Sequence, residues 1–324
     1  MKKALIFGVS GQDGALLAKL LLGKEYEVYG ASRDAQVNTF ANLGKLGIQD
    51  RVTLVSVTLN DFRSVLQALT KIQPDEIYNL AGQSSVGLSF EQPVETMESI
   101  SIGTLNLLEG IRFMKSPVKL YNAGSGDCFG YTGDEGATER TPFRPRSPYA
   151  VAKSAAFWEV ANYREAYDIH ACTGILFNHE SPLRPTRFVT KKIVAAACRI
   201  ANGSAEKLHL GDISIKRDWG WAPEYVEAMW LMMQQEAADD FVIATGESNS
   251  LEMFVKQAFD CAGLDWKEHV VIDQALMRPT DISANVGNPG KAITKLGWAP
   301  KYSMHDVVEA MMAAECESPS GYHA

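Results

Sequence analysis

Short apolar runs alternate with helix-like segments through the first half of the chain. The apolar runs are KALIFGV (3–9), EVYGAS (27–32), VTLVSV (52–57), EIYNLA (76–81) and VKLYNAG (118–124). The segments between them include GALLAKLLLGK (14–24) and DFRSVLQALTKI (61–72). Strands that are apolar along most of their length are typical of buried parallel sheets, and their alternation with helices predicts βαβ units. We therefore predict an α/β fold with a doubly wound (Rossmann) parallel sheet.

The second half of the sequence is less regular. A long helical pattern at 150–167 leads into the strand ACTGILFN, and prolines then interrupt the pattern until the strand FVIATG at 241–246. A chain of 324 residues that is 46% hydrophobic can bury a large core. We predict a dinucleotide-binding domain from residues 1–177 and about 213–246. A smaller, discontinuous C-terminal substrate-binding lobe would comprise about 178–212 and 247–324.

Composition argues against several classes of partner. No apolar run approaches the roughly 18 residues of a membrane helix. The N-terminal segment MKKALIFGVSGQDG ends in a glycine turn, so we interpret it as a strand rather than a signal peptide. A formal net charge of −8 disfavours nucleic acid as a partner. We predict a cytoplasmic protein with neither a membrane nor a nucleic-acid partner.

The five cysteines predict neither a metal site nor a disulfide framework. They are odd in number, far apart in sequence and without a CxxC pair: Cys128, Cys172, Cys198, Cys261 and Cys316. This usage fits a reducing compartment.

A glycine turn follows the first predicted strand at Gly8, Gly11 and Gly14. Such a turn lets the backbone approach a pyrophosphate, whose charge the following helix N-terminus favours. The GxxGxxG spacing is weakly specific, so an ordinary strand-to-helix turn is an alternative. At the end of the second strand, Arg33 suits the 2′-phosphate of NADP, whereas Asp34 suits the free hydroxyls of NAD.

Tyr149 and Lys153 are four residues apart in the long helical segment. This spacing places both side chains on one helix face, where the ammonium can lower the pKa of the phenol and make it a usable base. The segment NAGSGDCFG (122–130) precedes them and contains Ser125 and Asp127. Serine, tyrosine and lysine together form a proton-transfer unit for the oxidation of an alcohol by an adjacent nicotinamide. Asp127 is either a catalytic base or a turn residue.

The motifs resemble the extended short-chain dehydrogenase/reductase superfamily and, within it, the GDP-mannose 4,6-dehydratase family. The resemblance covers essentially the whole chain and includes GQDGALLAKLL, QPDEIYNLAGQSSVGLSFEQP, TPFRPRSPYAVAK, GILFNHESP and KRDWGWAPEYVEAMWLMMQ. It implies a lyase with an internal redox reaction through NADP. Tyrosinate takes the proton of the sugar 4-hydroxyl while hydride leaves C4. A carboxylate then removes the C5 proton, the 6-hydroxyl leaves as water, and hydride returns to C6.

The resemblance also implies roles for individual residues. In catalysis, Ser125 bridges to O4, Tyr149 and Lys153 form the base unit, and Asp127 is the acid-base group at C5 and C6. Implied cofactor contacts are Gly8, Gly11, Gln12, Asp13, Gly14, Arg33, Leu80, Ala81, Gln83, Tyr149 and Lys153. Implied GDP-sugar contacts are Ser84, Asn178, Glu180, Lys192, Arg217, Arg278 and Asp281. A homodimer or homotetramer is implied as well.

The chain departs from the family pattern near the catalytic segment. Asp127 stands where the family has Glu, which is about 1.5 Å longer. Gly126 replaces a serine, and Cys128 replaces a larger apolar residue. At the predicted substrate site, Asp281 also stands where the family has Glu.

Three hypotheses follow. The first is dehydration of GDP-mannose, or of a close relative such as GDP-manno-heptose, for deoxysugar and polysaccharide synthesis. The second is a GDP-sugar 4-reductase, 4-dehydrogenase or epimerase in which the short Asp127 cannot reach C5. The third is a non-catalytic sugar-nucleotide-binding protein, which the Tyr149–Lys153 pair disfavours. The sugar itself depends on the loops at 83–90 and 183–188.

Two further patterns are interpreted as structural. We expect His179 to be a buried residue whose ring nitrogens are hydrogen-bonded. The stripe of Met229, Trp230, Met232 and Met233 predicts a core or interface helix.

Overall fold

The computed structural model describes residues 1–115, 117–133 and 135–317. Its strands are β1 (Lys3–Phe7), β2 (Glu27–Ser32), β3 (Thr53–Ser56), β4 (Glu76–Asn79), β5 (Lys119–Ala123), β6 (Ala171–Leu176), β7 (Asn178–Glu180), β8 (Leu208–Leu210), β9 (Lys216–Arg217), β10 (Trp219–Trp221), β11 (Phe241–Ile243), β12 (Asn249–Ser250), β13 (Val270–Ile272) and β14 (Ala284–Asn285).

Helices connect these strands. They are α1 (Gln12–Gly23), α2 (Ala41–Lys45), α3 (Phe62–Ile72), α4 (Val86–Glu91), α5 (Pro93–Met97), α6 (Gly103–Met114), α7 (Pro148–Tyr167), α8 (Val189–Ala201), α9 (Ala222–Met233), α10 (Leu251–Cys261), α11 (Trp266–His269), α12 (Gly290–Leu296) and α13 (Met304–Cys316). A π-helical turn at Glu98–Ile102 precedes α6, and 3₁₀ turns lie at Gln49–Arg51, Gly126–Phe129 and Gln274–Leu276.

Seven strands form one parallel sheet in the order β11-β6-β5-β4-β1-β2-β3. Successive side chains of a strand point to opposite faces. Accordingly, Ala4 and Ile6 pack in the core that includes α1 and α9, whereas Leu5 and Phe7 pack in the core that includes α3 and α6. The predicted doubly wound Rossmann fold is confirmed.

The strand order reverses at β1, which lies between β2 and β4. Connections therefore leave the carboxyl ends of β1 and β4 in opposite directions, and ligands bind in the crevice that opens at such a point. The glycine turn follows β1, Leu80 follows β4 and Ser125 lies just beyond β5. The sheet thus brings three predicted site segments to one edge.

A second group of elements comes from the C-terminal part of the chain. Strand β7 pairs with β10, β8 pairs with β13, and β9 lies between β12 and β14. Helices α8, α10 and α13 share a separate apolar core that includes Ile193, Phe254 and Met311. The residue-level division into two domains stays a prediction.

The methionine stripe lies on α9. Met229, Met232 and Met233 are at most 1% exposed and belong to the core beneath α1. Trp230 is partly buried at its edge. The predicted structural role of this helix is confirmed.

One prediction about the cysteines is wrong. Cys198 on α8 and Cys316 on α13 form a disulfide, with Cα atoms 5.7 Å apart. The two residues are separated by 118 positions and become neighbours only because α8 packs against α13. Sequence spacing carries no information about such a pairing. Cys128 and Cys172 are buried free thiols, and Cys261 is an exposed one.

Two features are absent from the described ranges. Within them, no group of three or more His, Cys, Asp or Glu side chains is placed to hold a metal ion. None of the helices in those ranges is long and apolar enough to span a bilayer.

Candidate functional site

A cleft of about 500 Å³ lies at the carboxyl edge of the sheet. All four predicted catalytic residues line it: Ser125, Asp127, Tyr149 and Lys153. So do all seven residues predicted to contact the GDP-sugar: Ser84, Asn178, Glu180, Lys192, Arg217, Arg278 and Asp281. Asp13 and Leu80, from the predicted cofactor set, line the cleft as well. The fold therefore gathers segments that are far apart in sequence, although the role of each residue stays a prediction.

The glycine turn brings the start of α1 close to β4. Gly8 has a φ of +82°, and a Cβ there would lie 2.8 Å from the Leu80 carbonyl oxygen. A Cβ on Gly14 would lie 2.2 Å from the Gly8 carbonyl oxygen. Both positions therefore require glycine. Helix α1 begins after Gly11, which has no side chain to cap it, so the amide groups of its first turn suit an anion.

The first turn of α1 is also tied to β7. Gln12 is 4% exposed, and its Nε2 donates to the His179 carbonyl oxygen at 3.1 Å. The Ser181 hydroxyl donates to Gln12 Oε1 at 2.8 Å. Gln12 thus lies behind the cleft wall and connects the predicted cofactor segment to the predicted substrate segment.

Asp13 and His179 form an ion pair in the cleft. His179 Nε2 lies 2.9 Å from the Asp13 carboxylate, and Nδ1 lies 2.7 Å from the Phe177 carbonyl oxygen. Both neighbours are acceptors, which favours the imidazolium form, in which both ring nitrogens donate. Burial lowers the pKa of His179, but the Asp13 carboxylate outweighs it and raises that pKa above its ordinary value. Burial alone would raise the pKa of Asp13, but the imidazolium outweighs it and holds the pKa at about 2. The predicted buried and hydrogen-bonded state of His179 is confirmed, and the residue also lines the cleft.

Three other predicted cofactor residues lie outside the cleft wall. Ala81 and Gln83 follow β4, where Gln83 Nε2 donates to the Ser85 carbonyl oxygen at 2.8 Å. Arg33 follows β2 and faces solvent, with its guanidinium 3.7 Å from Glu95.

Ser125 and Asp127 lie in a tight turn beyond β5. Ser125 Oγ accepts a hydrogen bond from the Asp127 N–H at 3.2 Å and caps the 3₁₀ turn. The turn rests on Phe177, since a Cβ at Gly126 would lie 2.9 Å from the phenyl ring. A serine at 126 would therefore displace the ring or the turn, which explains the glycine at this position.

The Asp127 carboxyl faces the cleft. Burial raises its pKa, and the positive charges of Arg217 and Arg278 oppose this only in part. A carboxyl with a raised pKa is a stronger proton acceptor than an ordinary aspartate. Its environment is therefore suited to acid-base chemistry.

Tyr149 and Lys153 lie in the first two turns of α7. The helix is capped by Ser147, whose Oγ accepts from the Ala150 N–H at 3.1 Å. Lys153 Nζ donates to the Ala123 carbonyl oxygen at 2.7 Å and lies 5.9 Å from the centroid of the Tyr149 ring. Burial lowers the pKa of Lys153 to about 8.

The pKa of Tyr149 moves in the direction opposite to that predicted. Burial and the nearby Asp127 carboxylate raise it, and a hydrogen bond with Ser125 opposes them only in part. The predicted net lowering of this pKa is therefore wrong for the protein alone. The ammonium is directed at a backbone carbonyl, and burial dominates the titration of the phenol. Tyrosinate formation needs a further positive charge in the cleft.

A cluster of charged residues also lines the cleft. Arg217 Nη2 donates to Asp281 Oδ1 at 2.8 Å, and Arg278 Nη1 is 3.6 Å from the same oxygen. Two guanidinium groups share one carboxylate, so the cluster keeps an excess of positive charge. Lys192, nearby, donates to the His209 carbonyl oxygen at 2.7 Å. This arrangement suits a diphosphate.

Glu180 is a predicted GDP-sugar contact, but its carboxylate is buried against another side chain of the protein. It is 1% exposed, and its carboxylate lies 3.1 Å from Arg184 Nε. Burial raises its pKa although Arg184 lowers it. Its carboxylate is thus already paired within the protein, whereas Asn178 lines the cleft beside it.

Sequence reasoning missed several polar residues of the cleft, among them Arg184, Arg187 and Asn285. The guanidinium carbons of Arg184 and Arg187 lie 3.8 and 5.2 Å from the centroid of Phe188. Both belong to the 183–188 loop. Because the sequence predicted that this loop influences the choice of sugar, the loop could have indicated these two arginines. Nothing in the sequence pointed to Asn285.

Comparisons with known proteins agree over nearly the whole chain. The family model described as GDP-mannose 4,6 dehydratase matches residues 5–311. GDP-mannose 4,6 dehydratase 1 of Arabidopsis thaliana is 45% identical over 326 residues, covering 98% of this chain and 90% of the relative. GDP-mannose 4,6-dehydratase of Vibrio cholerae is 39% identical, covering 96% of this chain and 93% of its own.

A solved structure agrees as well. UDP-glucose 4-epimerase of Thermus thermophilus, in complex with NAD, has a TM-score of 0.86 at 25% identity and covers 98% of this chain and 99% of its own. The epimerase likeness extends over both the sheet and the C-terminal elements. From its sequence and its fold together, the chain belongs to the GDP-mannose 4,6-dehydratase family of sugar-nucleotide lyases.

Proposed function

We propose that the protein catalyses the 4,6-dehydration of a GDP-sugar, either GDP-mannose or a close relative such as GDP-manno-heptose. The observation that carries this proposal is that Ser125, Asp127 and Tyr149 line the same cleft as Arg217 and Arg278. The first group can move protons at a sugar, and the two guanidinium groups can hold a diphosphate. The product is the 4-keto-6-deoxy sugar.

A nicotinamide dinucleotide fits the residues at the start of α1. The close approach of Gly8 to Leu80 and the N-terminus of α1 suit a pyrophosphate held against the backbone. The chemistry that a bound oxidised nicotinamide supplies is acceptance of hydride from C4, its return to C6, and a positive charge in the cleft.

We infer NADP rather than NAD from the residues after β2. Asp34 Oδ1 accepts hydrogen bonds from the N–H groups of Gln36 and Val37, at 2.9 and 3.3 Å, so it is engaged in its own turn. The Arg33 side chain is 85% exposed and available to a 2′-phosphate. NAD is the alternative, and equilibrium titration with both dinucleotides distinguishes them.

Tyr149 is the base that takes the proton of the sugar 4-hydroxyl. A positive charge in the cleft opposes the burial that raises its pKa, and the Lys153 ammonium adds to that charge. Ser125 shares a hydrogen bond with Tyr149, so its hydroxyl can pass the proton from O4 to the phenolate. The C4–H bond then breaks with loss of hydride.

Asp127 acts in the second half of the reaction. A ketone at C4 acidifies the C5 proton, which the Asp127 carboxylate removes. The protonated carboxyl then donates to the departing 6-hydroxyl, which leaves as water. The raised pKa of Asp127 favours removal of the C5 proton, because the carboxylate is then a stronger base.

Mass spectrometry tests the proposal directly. We expect purified protein with catalytic NADP to remove one water from GDP-mannose or GDP-manno-heptose, with no net cofactor reduction. A change in the mass of the sugar by two hydrogen atoms, with stoichiometric cofactor turnover, would instead indicate a 4-reductase or 4-dehydrogenase. Conversion to a stereoisomer of unchanged mass would indicate an epimerase.

We also infer that two copies associate through neighbouring helices. Four apolar side chains there are between 43% and 69% exposed: Val94, Ile102, Val151 and Trp158. They lie on α5, the π-helical turn and α7, which pack together. Apolar exposure of this kind favours self-association. Analytical ultracentrifugation of the wild type and Trp158→Glu tests it, since the substitution should shift the mass toward the monomer.

The cytoplasmic location is likewise a proposal. A nucleotide-sugar substrate and a nicotinamide cofactor support it, whereas the Cys198–Cys316 disulfide is unusual for a reducing compartment. Alkylation of thiols in intact cells measures whether this pair is oxidised there.

A further inference from the structure

The side chain of Asn285 lies beneath the turn that carries Asp127. Its Nδ2 donates to the carbonyl oxygens of Gly126 and Gly130, at 3.1 and 2.9 Å. These two carbonyls stand on either side of Asp127 in the chain. Asn285 is 1% exposed, and its Oδ1 has no hydrogen-bond partner within the described ranges. The amide therefore acts on the turn through its two N–H groups.

Other carbonyls in and beside the turn accept from nearby backbone N–H groups. The Ser125 oxygen accepts from the Cys128 N–H at 3.1 Å, and the Asp127 oxygen accepts from the Gly130 N–H at 3.2 Å. The Cys128 oxygen accepts from the Arg144 N–H at 2.8 Å. Loss of the Asn285 amide would remove the donor from two buried carbonyls at once, which favours rearrangement of the turn.

Asn285 also connects this turn to the predicted diphosphate site. Strand β14 runs parallel to β9, and Asn285 is opposite Arg217 in that pairing. The Asp218 N–H donates to the Asn285 carbonyl oxygen at 3.1 Å. One residue therefore fixes the turn of Asp127 relative to the strand of Arg217.

Phe177 supports the turn from another side but cannot replace these hydrogen bonds. Cβ atoms at Gly126 and Gly287 would lie 2.9 and 2.7 Å from its ring. The ring limits how far the turn can move toward it. A nonpolar contact has little directional preference, whereas the two N–H groups fix the orientation of the peptides beside Asp127.

We propose that Asn285 is a positioning residue that places the short carboxylate of Asp127 within reach of sugar C5. The inference rests on the proposed dehydration. In that step the C5–H bond breaks and its proton passes to Asp127. The electron pair forms the C5–C6 double bond as the 6-hydroxyl leaves with a proton from Asp127. Tyr149 is held by α7, so oxidation at C4 depends less on Asn285.

The test compares the two half-reactions in Asn285→Leu, which keeps the approximate size of the side chain and removes both donors. Water loss is followed by mass spectrometry and C4 oxidation by the absorbance of the reduced nicotinamide. The substrates are GDP-mannose and GDP-manno-heptose with NADP. We expect water loss to slow about a hundredfold, because a displacement near 1 Å has this effect. Reduced cofactor should accumulate, and the affinity for GDP should stay within about threefold of wild type.

Thr132→Val is the matched control. Thr132 Oγ1 accepts from the Val286 N–H at 2.9 Å, so its loss weakens the neighbouring position of the same segment. Neither carbonyl beside Asp127 is affected. We expect a comparable fall in melting temperature with water loss within a few-fold of wild type. Equal slowing of both half-reactions in Asn285→Leu, or no slowing, overturns the positioning role.

A second variant keeps the proposal testable if Asn285→Leu does not fold. In Asn285→Asp the ionised carboxylate repels both carbonyl oxygens, whereas the protonated acid can donate to one of them. The rate of water loss relative to wild type should therefore rise as the pH falls. A constant ratio overturns the proposal. If the wild type itself removes no water, the proposed dehydration fails instead, and the two failures are distinguished.

Discussion

Tyr149 and Asp127 line one cleft but are positioned in different ways. Tyr149 depends on a single helix, whose N-terminus is set by Pro148 and the Ser147 cap. Asp127 depends on Phe177 beneath its turn and on Asn285, which is 159 positions from Gly126. The helix position is encoded by its own residues, whereas the turn position is encoded by distant ones. Substitutions around the turn should therefore affect one half-reaction selectively.

The largest effect is expected at the helix. Tyr149→Phe removes the base for the 4-hydroxyl, and general-base catalysis contributes about 10²–10⁴-fold. We expect kcat to fall by about 10⁴ with little change in KM, since the ring and the helix stay in place. Neither water loss nor cofactor reduction should occur at an appreciable rate. Stopped-flow absorbance with mass spectrometry checks both. Fast cofactor reduction by this variant would place the base elsewhere.

Asp127→Asn should separate the two half-reactions. The amide cannot accept the C5 proton, so we expect water loss to fall about 10²–10³-fold while C4 oxidation continues. Reduced cofactor should then accumulate, which is the opposite of the Tyr149→Phe result. Quenched reactions analysed for the 4-keto sugar provide the measurement. Undiminished water loss would show that Asp127 is only a turn residue.

Asp127→Glu provides the matched variant. We expect about a tenfold loss, because the turn is built around the shorter side chain and misplacement by about 1 Å is costly. A gain in rate would mean that the reach of Asp127 limits elimination in the wild type.

Gly126→Ala should have a smaller effect on the same step. The added methyl would lie 2.9 Å from the buried Phe177 ring, so the turn or the ring has to shift. Overpacking of this kind costs about 1–3 kcal/mol of unfolding free energy. We expect water loss to slow about tenfold and C4 oxidation to change less. Chemical denaturation and the two kinetic readouts check this result. The matched substitution Gly23→Ala adds a methyl in open space at the C-terminal end of α1 and should leave both rates unchanged.

The two regions also differ in what the sequence could predict. The alternating apolar runs predicted the sheet, and the four-residue spacing predicted that Tyr149 and Lys153 share a helix. These features depend on neighbours in the chain. Packing between distant segments determines three other features. These are the hydrogen bonds of Asn285, the need for glycine at position 126 and the Cys198–Cys316 disulfide. The predicted direction of the Tyr149 pKa shift was wrong for the same reason, because burial of the phenol is a property of the whole fold.

The smallest effect is a pH dependence that originates in Lys153. Burial lowers its pKa to about 8, so the ammonium loses its proton above that pH and kcat/KM should decline by up to tenfold per pH unit. Titration of Lys153 itself does not destabilise the fold over this range. The ordinary pKa of lysine is 10.5, so between about pH 8 and 10.5 the unfolded chain binds more protons than the folded one. This group therefore makes the fold more stable as pH rises.

Lys153→Arg tests the assignment, because a guanidinium stays protonated throughout this range. Its overall activity should be lower, since the larger group fits the buried site less well, but the alkaline decline should disappear. Rate profiles of both proteins between about pH 7 and 10, with melting temperatures at each pH, provide the measurement. An unchanged decline in Lys153→Arg would place the titrating group elsewhere in the cleft. The helix half of the site would then depend on distant residues as much as the turn does.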